Sequence, residues 1–154
     1  MKSSKTDLLH SVSILIEESR KLVIRNVNTT MVYTYFHIGR MIVEEEQHGL
    51  ERAAYAESIL KELSNSLTAE YGKGFSKRNL EYFRQFYLLY RNRIAQSVIA
   101  QSSLKKDSTV NAQSLIAFSE NFKSSWTHYI QLMKIENNEE RSFYEIEIGQ
   151  ISGR

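Results

Sequence analysis

The stretch Gly72-Lys73-Gly74-Phe75-Ser76-Lys77-Arg78-Asn79-Leu80-Glu81-Tyr82-Phe83-Arg84-Gln85-Phe86-Tyr87 constrains the fold more than any other part of the chain. Two glycines one residue apart can stop a helix, because each can take the left-handed backbone that a Cβ makes costly. Ser76 can start the next one, its hydroxyl accepting an orphan amide hydrogen of the new first turn. Leu80, Phe83, Tyr87 and Tyr90 then recur at steps of three and four, the seam of an amphipathic helix. The opposite side carries Lys77, Arg78, Glu81, Arg84 and Gln85. A helix, a tight glycine turn and a second helix with a basic outer side form the pattern of a helix-turn-helix.

The chain has no proline and only six glycines in 154 residues, so an all-α fold is expected. The expectation is one helical domain over residues 1–154, with five to seven helices and a helix-turn-helix unit at about 53–91. A chain of this length buries roughly 70% of its unfolded surface, enough for a core without covalent staples. With no cysteine, disulfides and thiolate metal sites are excluded and a reducing, cytoplasmic setting is expected. Glu17 and Glu18 break the first apolar run too early for a signal peptide. No stretch approaches the roughly 20 apolar residues of a membrane span, so no membrane partner is expected.

The net charge of +2 hides an uneven distribution. Residues 73–106 hold eight basic residues against one acid, so +7, and the rest holds twelve against seventeen, so −5. A polyanion would be steered to the positive part. A charge run alone is ordinarily a solvated helix face. Its coincidence with the glycine turn adds the nucleic-acid reading.

In chain order, Thr6 or Asp7 caps a first helix to about Val23, with Leu8, Val12, Leu15, Ser19 and Leu22 along one side and Leu9 and Ile16 beside them. Arg25-Asn26-Val27-Asn28 is expected to turn. A second helix runs from Thr29 or Thr30 to about Gln47, with Met31, Tyr35, Ile38 and Ile42 as its core stripe. Gly39 inside it costs about 1 kcal/mol against alanine, which close approach of another backbone would explain. A third helix from near Glu51 buries Tyr55 or Ala56, Leu60, Leu63 and Leu67. After Arg93 the apolar signal weakens, and the polar run 101–108 suggests a mobile loop. Order returns at about Ser114 to Phe122. Ser124 or Ser125 caps a helix containing Trp126, Tyr129, Ile130 and Met133. Asn137-Asn138 turns into a last helix through Phe143, Tyr144, Ile146 and Ile148, and the chain reads as cut short at Arg154.

Catalytic patterns are missing. Glu44-Glu45-Glu46-Gln47-His48 cannot converge on one ion, because consecutive helical residues point in different directions. His10, His37, His48 and His128 lack metal-ligand spacing. No glutamate or glutamine is followed two residues later by lysine, so the Glu-x-Lys element of a PD-(D/E)XK site is absent. No catalytic residue, metal site or cofactor is expected. The aromatics around the turn favour core packing over base stacking, with Tyr82 at the edge of the outer face as the one possible contact.

Several blocks resemble a known family. Tyr35-Phe36-His37-Ile38-Gly39-Arg40-Met41-Ile42, Leu60 through Leu67, the glycine-turn stretch, Ser125-Trp126-Thr127-His128-Tyr129 and Arg141-Ser142-Phe143-Tyr144 are similar to the amino-terminal domain of the YhcG-like PD-(D/E)XK nucleases. The similarity covers most of residues 8–150. Phe36 stands where that family often has tryptophan, and Ala56 where glycine often follows the tyrosine. The resemblance implies a helical, helix-turn-helix-like DNA-binding or targeting module that ordinarily precedes a nuclease domain, and no nuclease domain is expected within these 154 residues.

Two functions are therefore expected in order. In the first, the chain binds duplex or branched DNA through Lys73, Ser76, Lys77, Arg78, Glu81, Tyr82, Arg84 and Gln85. In the second, it is a protein-interaction module that docks to a nuclease or restriction-system protein or forms a homodimer, with Phe143, Ile146, Ile148 and Ile151 needing cover.

Overall fold

The computed structural model describes residues 2–48, 52–95 and 112–152. Among them the protein is all-α, with α1 at Lys2–Glu46, α2 at Arg52–Tyr71, α3 at Lys77–Ala95, α4 at Ala112–Asn121, α5 at Trp126–Leu132 and α6 at Asn138–Ser152. The polar run 101–108 lies outside the described residues.

The two helices expected before residue 48 are one. The asparagines near residue 27 do not break it, because no glycine or proline enforces a turn there and the nearby hydroxyls find partners inside the helix. Thr30, one of the two expected caps, instead donates to the Asn26 carbonyl at 2.7 Å, and Thr34 donates in the same way to the Thr30 carbonyl at 2.8 Å. The expected core stripes also shift. Of the second stripe Ile42 is buried and Tyr35 and Ile38 pack against the core, joined on the buried side by Val32, Tyr33, Phe36 and Val43, whereas Met31 is exposed, as are Leu8, Val12, Leu15 and Leu22 of the first stripe.

The second half of α1 packs along α3, the most extensive helix pair in the structure. Gly39 makes this possible. A Cβ there would lie 2.0 Å from the Phe83 carbonyl oxygen and 2.6 Å from its carbon, so the two backbones touch where only hydrogen fits. The close approach expected from the sequence is present.

Two apolar clusters fill the space around this pair. One joins Val32, Tyr33 and Phe36 to Phe86, Tyr90, Phe118, Phe122, Tyr129, Leu132 and Met133. The other is smaller, with Ile42, Leu60, Leu80 and Phe83. Trp126 packs against both, its ring 4.9 Å from Tyr35, 5.5 Å from Phe83 and 5.2 Å from Phe86. It is the only tryptophan in the chain, so its emission reports on the joint between the clusters.

The later helices start as expected. Ser125 caps α5, its hydroxyl accepting from the His128 amide at 3.4 Å. Asn137 does the same for α6, accepting from the Glu140 amide at 3.0 Å. Arg93 ties α3 to α6 and to the end of α4, donating to the two Glu145 oxygens at 2.5 and 2.8 Å and to the Asn121 carbonyl at 3.1 Å. Its guanidinium lies over the rings of Tyr90 and Phe122. In sequence this cation belongs to a positive stretch. In the fold it is an internal brace.

Candidate nucleic-acid interface

The turn between α2 and α3 is built residue by residue from the glycine block. Gly72 at φ 85° and Gly74 at φ 117° both occupy backbone that L side chains avoid. The Gly72 amide closes α2 on the Thr68 carbonyl at 3.0 Å. Phe75 packs at the edge of the smaller cluster. Ser76 caps α3, its hydroxyl accepting from the Asn79 amide at 3.2 Å, and the Asn79 side chain donates to the Gly74 carbonyl at 3.2 Å. Leu80 is fully buried behind them. Most of the block is thus architecture, and Ser76 in particular is occupied as a cap.

The outer residues of α3 divide into those the protein itself engages and those it leaves open. Lys77 forms an ion pair with Glu57 of α2, and that hydrogen bond raises the lysine above its usual pKa. Arg84 donates from Nε to both oxygens of Glu46, at 2.7 and 2.9 Å. Glu46 is buried at the end of α1, so this pair fastens α3 to α1. Gln85 is exposed but reaches the Met133 carbonyl at 3.5 Å. Glu81 is exposed and places a negative charge on the same side.

Two cations remain open. Arg78 is exposed at the second position of α3, 3.3 Å from the Tyr82 hydroxyl and with its guanidinium 5.8 Å from that ring's centre. Lys73 projects from the glycine turn, also exposed. Neither is paired with a carboxylate among the described residues. The helical pattern puts Lys77, Arg78 and Arg84 on one free basic face, and the structure divides them, because the sequence does not reveal that Glu46 and Glu57 fold back onto α3.

Among the described residues no three His, Asp or Glu side chains come together as a metal site, and no helix is long and apolar enough to cross a membrane. The model of the DUF1016 N-terminal domain matches residues 11–150. The chain belongs to the DUF1016 N-terminal domain family. One relative of this family is the Putative nuclease YhcG of Escherichia coli (strain K12), 38% identical over 143 residues. The alignment takes in 86% of this chain and 38% of the relative, so the chain spans under two-fifths of that protein's length. No solved structure matches. The turn-building role of Gly72, Gly74, Ser76 and Asn79 accounts for a block that is otherwise hard to read as a binding site.

Proposed function

We propose that this chain is a DNA-binding module of a YhcG-like nuclease system, with no catalytic activity of its own. The observation that carries the reading is Arg78, exposed in the first turn of α3 and stacked beside Tyr82 rather than locked in an ion pair. The first turn of the second helix is where helix-turn-helix proteins commonly reach base edges and phosphates. Lys73 on the preceding turn is placed for a backbone phosphate, and Gln85 further along α3 is the candidate for a base edge. Lys77 and Arg84 contribute through the fold, by holding α3 against α2 and α1. The name of the relative, Putative nuclease YhcG, supports a nucleic-acid substrate for the system as a whole.

Fluorescence anisotropy with duplex, branched and single-stranded DNA tests this. Duplex or branched DNA should bind, and the affinity should fall steeply with salt as counterion release requires. Absence of salt-dependent binding to all three would remove the reading.

A second reading, docking to a nuclease or restriction-system protein, is favoured by α6. Phe143, Tyr144, Ile146 and Ile151 stand exposed on it, whereas Ile148 packs at the edge of the larger cluster. A Phe143→Ser/Ile146→Ser variant that binds DNA normally but loses a co-purified nuclease partner would support it. Retention of that partner would count against it.

A further inference from the structure

We propose that the amino-terminal half of α1 is a dimerisation element on which a second copy of this chain packs antiparallel. This goes beyond the DNA reading and does not depend on it. From Ser4 to Val27 every side chain of α1 is exposed, a length of about 36 Å at the helical rise. Helices in proteins draw most of their stability from burying an apolar face against something. Here ten large apolar side chains between Leu8 and Val27 stand 44–67% exposed. Soluble monomers rarely carry so long a contiguous apolar stripe.

The spacing suits a helix partner. Leu8, Leu15 and Leu22 fall at seven-residue steps, with Val12 between the first two and Leu9, Ile16 and Val23 alongside. This stripe lies on a different side of α1 from Val32, Phe36 and Val43, which face the protein's own core.

The end charges favour a second copy, and they favour it antiparallel. The first turn of α1 has no acid and the last turn no base. Instead Lys5 lies near the amino end and the exposed Glu44 and Glu45 at the carboxyl end, the wrong signs for the helix's own dipole. An antiparallel copy sets each end beside the opposite charge. With Leu22 facing Val27 of the second copy, the same register sets Leu15 opposite Thr34, Leu8 opposite Met41 and Lys5 opposite Glu44. Val27 and Met41 are exposed, and the Glu44 side chain stays 50% exposed beside Arg40. A parallel pair would instead stack lysine on lysine and glutamate on glutamate.

The receiving surface is already shaped. Two adjoining clefts of about 540 and 510 Å³ run beside the second half of α1 and share Phe75 as a common wall. Val27 and Met31 line the first, and Ile38, Met41 and Leu63 the second. Each copy would lay its bare half-helix along the clefts of the other, a self-complementary two-fold arrangement.

Sedimentation equilibrium of the full chain should give twice 18.0 kDa at micromolar concentrations. The variant Leu8→Glu/Leu15→Glu/Leu22→Glu should halve that mass while leaving Trp126 fluorescence unchanged, since these side chains touch none of the core. The chain has no cysteine, so thiol pairs report geometry cleanly. In Leu8→Cys/Met41→Cys the thiols of one copy are about 50 Å apart along the helix, so oxidation to a covalent dimer requires the antiparallel register. Leu8→Cys alone should not cross-link. A mass of 18.0 kDa at every concentration, a dimer indifferent to the triple glutamate variant, or cross-linking by Leu8→Cys alone would each overturn the proposal.

Discussion

Arg84 holds Glu46 with one nitrogen shared between both carboxylate oxygens, at 2.7 and 2.9 Å, across 38 residues of sequence. Glu46 is buried and Arg84 partly so, which makes the pair a fastening of α3 to the end of α1 rather than a surface contact. Replacing Arg84 by alanine leaves a buried carboxylate without its donor, at a cost of about 1–3 kcal/mol. Urea unfolding followed by Trp126 fluorescence should show a lowered midpoint.

Gly39→Ala should destabilise the protein although alanine is the better helix former by about 1 kcal/mol. The added methyl would meet the Phe83 carbonyl oxygen at 2.0 Å, and backbone cannot swing aside as a long side chain can. Overpacking of this kind costs typically about 1–3 kcal/mol or more. A Gly39→Ala variant as stable as the parent in urea would show that α1 and α3 are less tightly opposed.

These two positions show what is legible in the sequence. Gly39 stands out because a glycine inside a helical pattern needs a reason, and the glycine turn because two such residues before a serine form a local stop and start. The serine caps at 76 and 125 are visible on the same local grounds. The roles of Arg84, Arg93 and Lys77 are not, because their partners lie 38, 52 and 20 residues away and no local rule pairs them. The false break near Asn26 comes from weighing local preference without the cooperativity of a long helix. The projecting half of α1 reads as a core helix because its stripe looks the same whether its cover is the chain's own core or another molecule.

Arg93 and Glu145 predict a larger loss. Two hydrogen bonds at 2.5 and 2.8 Å, with the Tyr129 hydroxyl donating to the same carboxylate at 3.2 Å, join α3, α5 and α6 in a largely buried site. Glu145→Ala would strand the guanidinium and should cost about 3 kcal/mol. Thermal unfolding should shift down by roughly 6–12 °C for a domain of this size.

His37 makes stability depend on pH. Burial, reinforced by the charge of Arg40, lowers its pKa from 6.5 to about 4, and its ring sits 4.3 Å from that of Tyr33. The unfolded chain therefore takes up a proton at higher pH than the folded one. Its contribution is fully present above about pH 6.5 and is lost as pH falls through about 4. The total is about 3 kcal/mol from a shift of this size. Urea midpoints measured from pH 7 down to about 4 should fall steeply for the parent and less for His37→Gln.

On the proposed DNA-binding function, the open cations at the start of α3 meet the duplex while the paired ones serve the fold. The salt dependence of duplex binding in Lys73→Ala/Arg78→Ala, set against Arg84→Ala and measured by fluorescence anisotropy, tests that division most directly. The slope of log affinity against log salt should flatten by about 1.8 in the double variant, because two phosphates are no longer neutralised. It should stay at the parent value in Arg84→Ala under conditions where that variant is folded. A double variant with the parent's affinity and slope would contradict the proposed function.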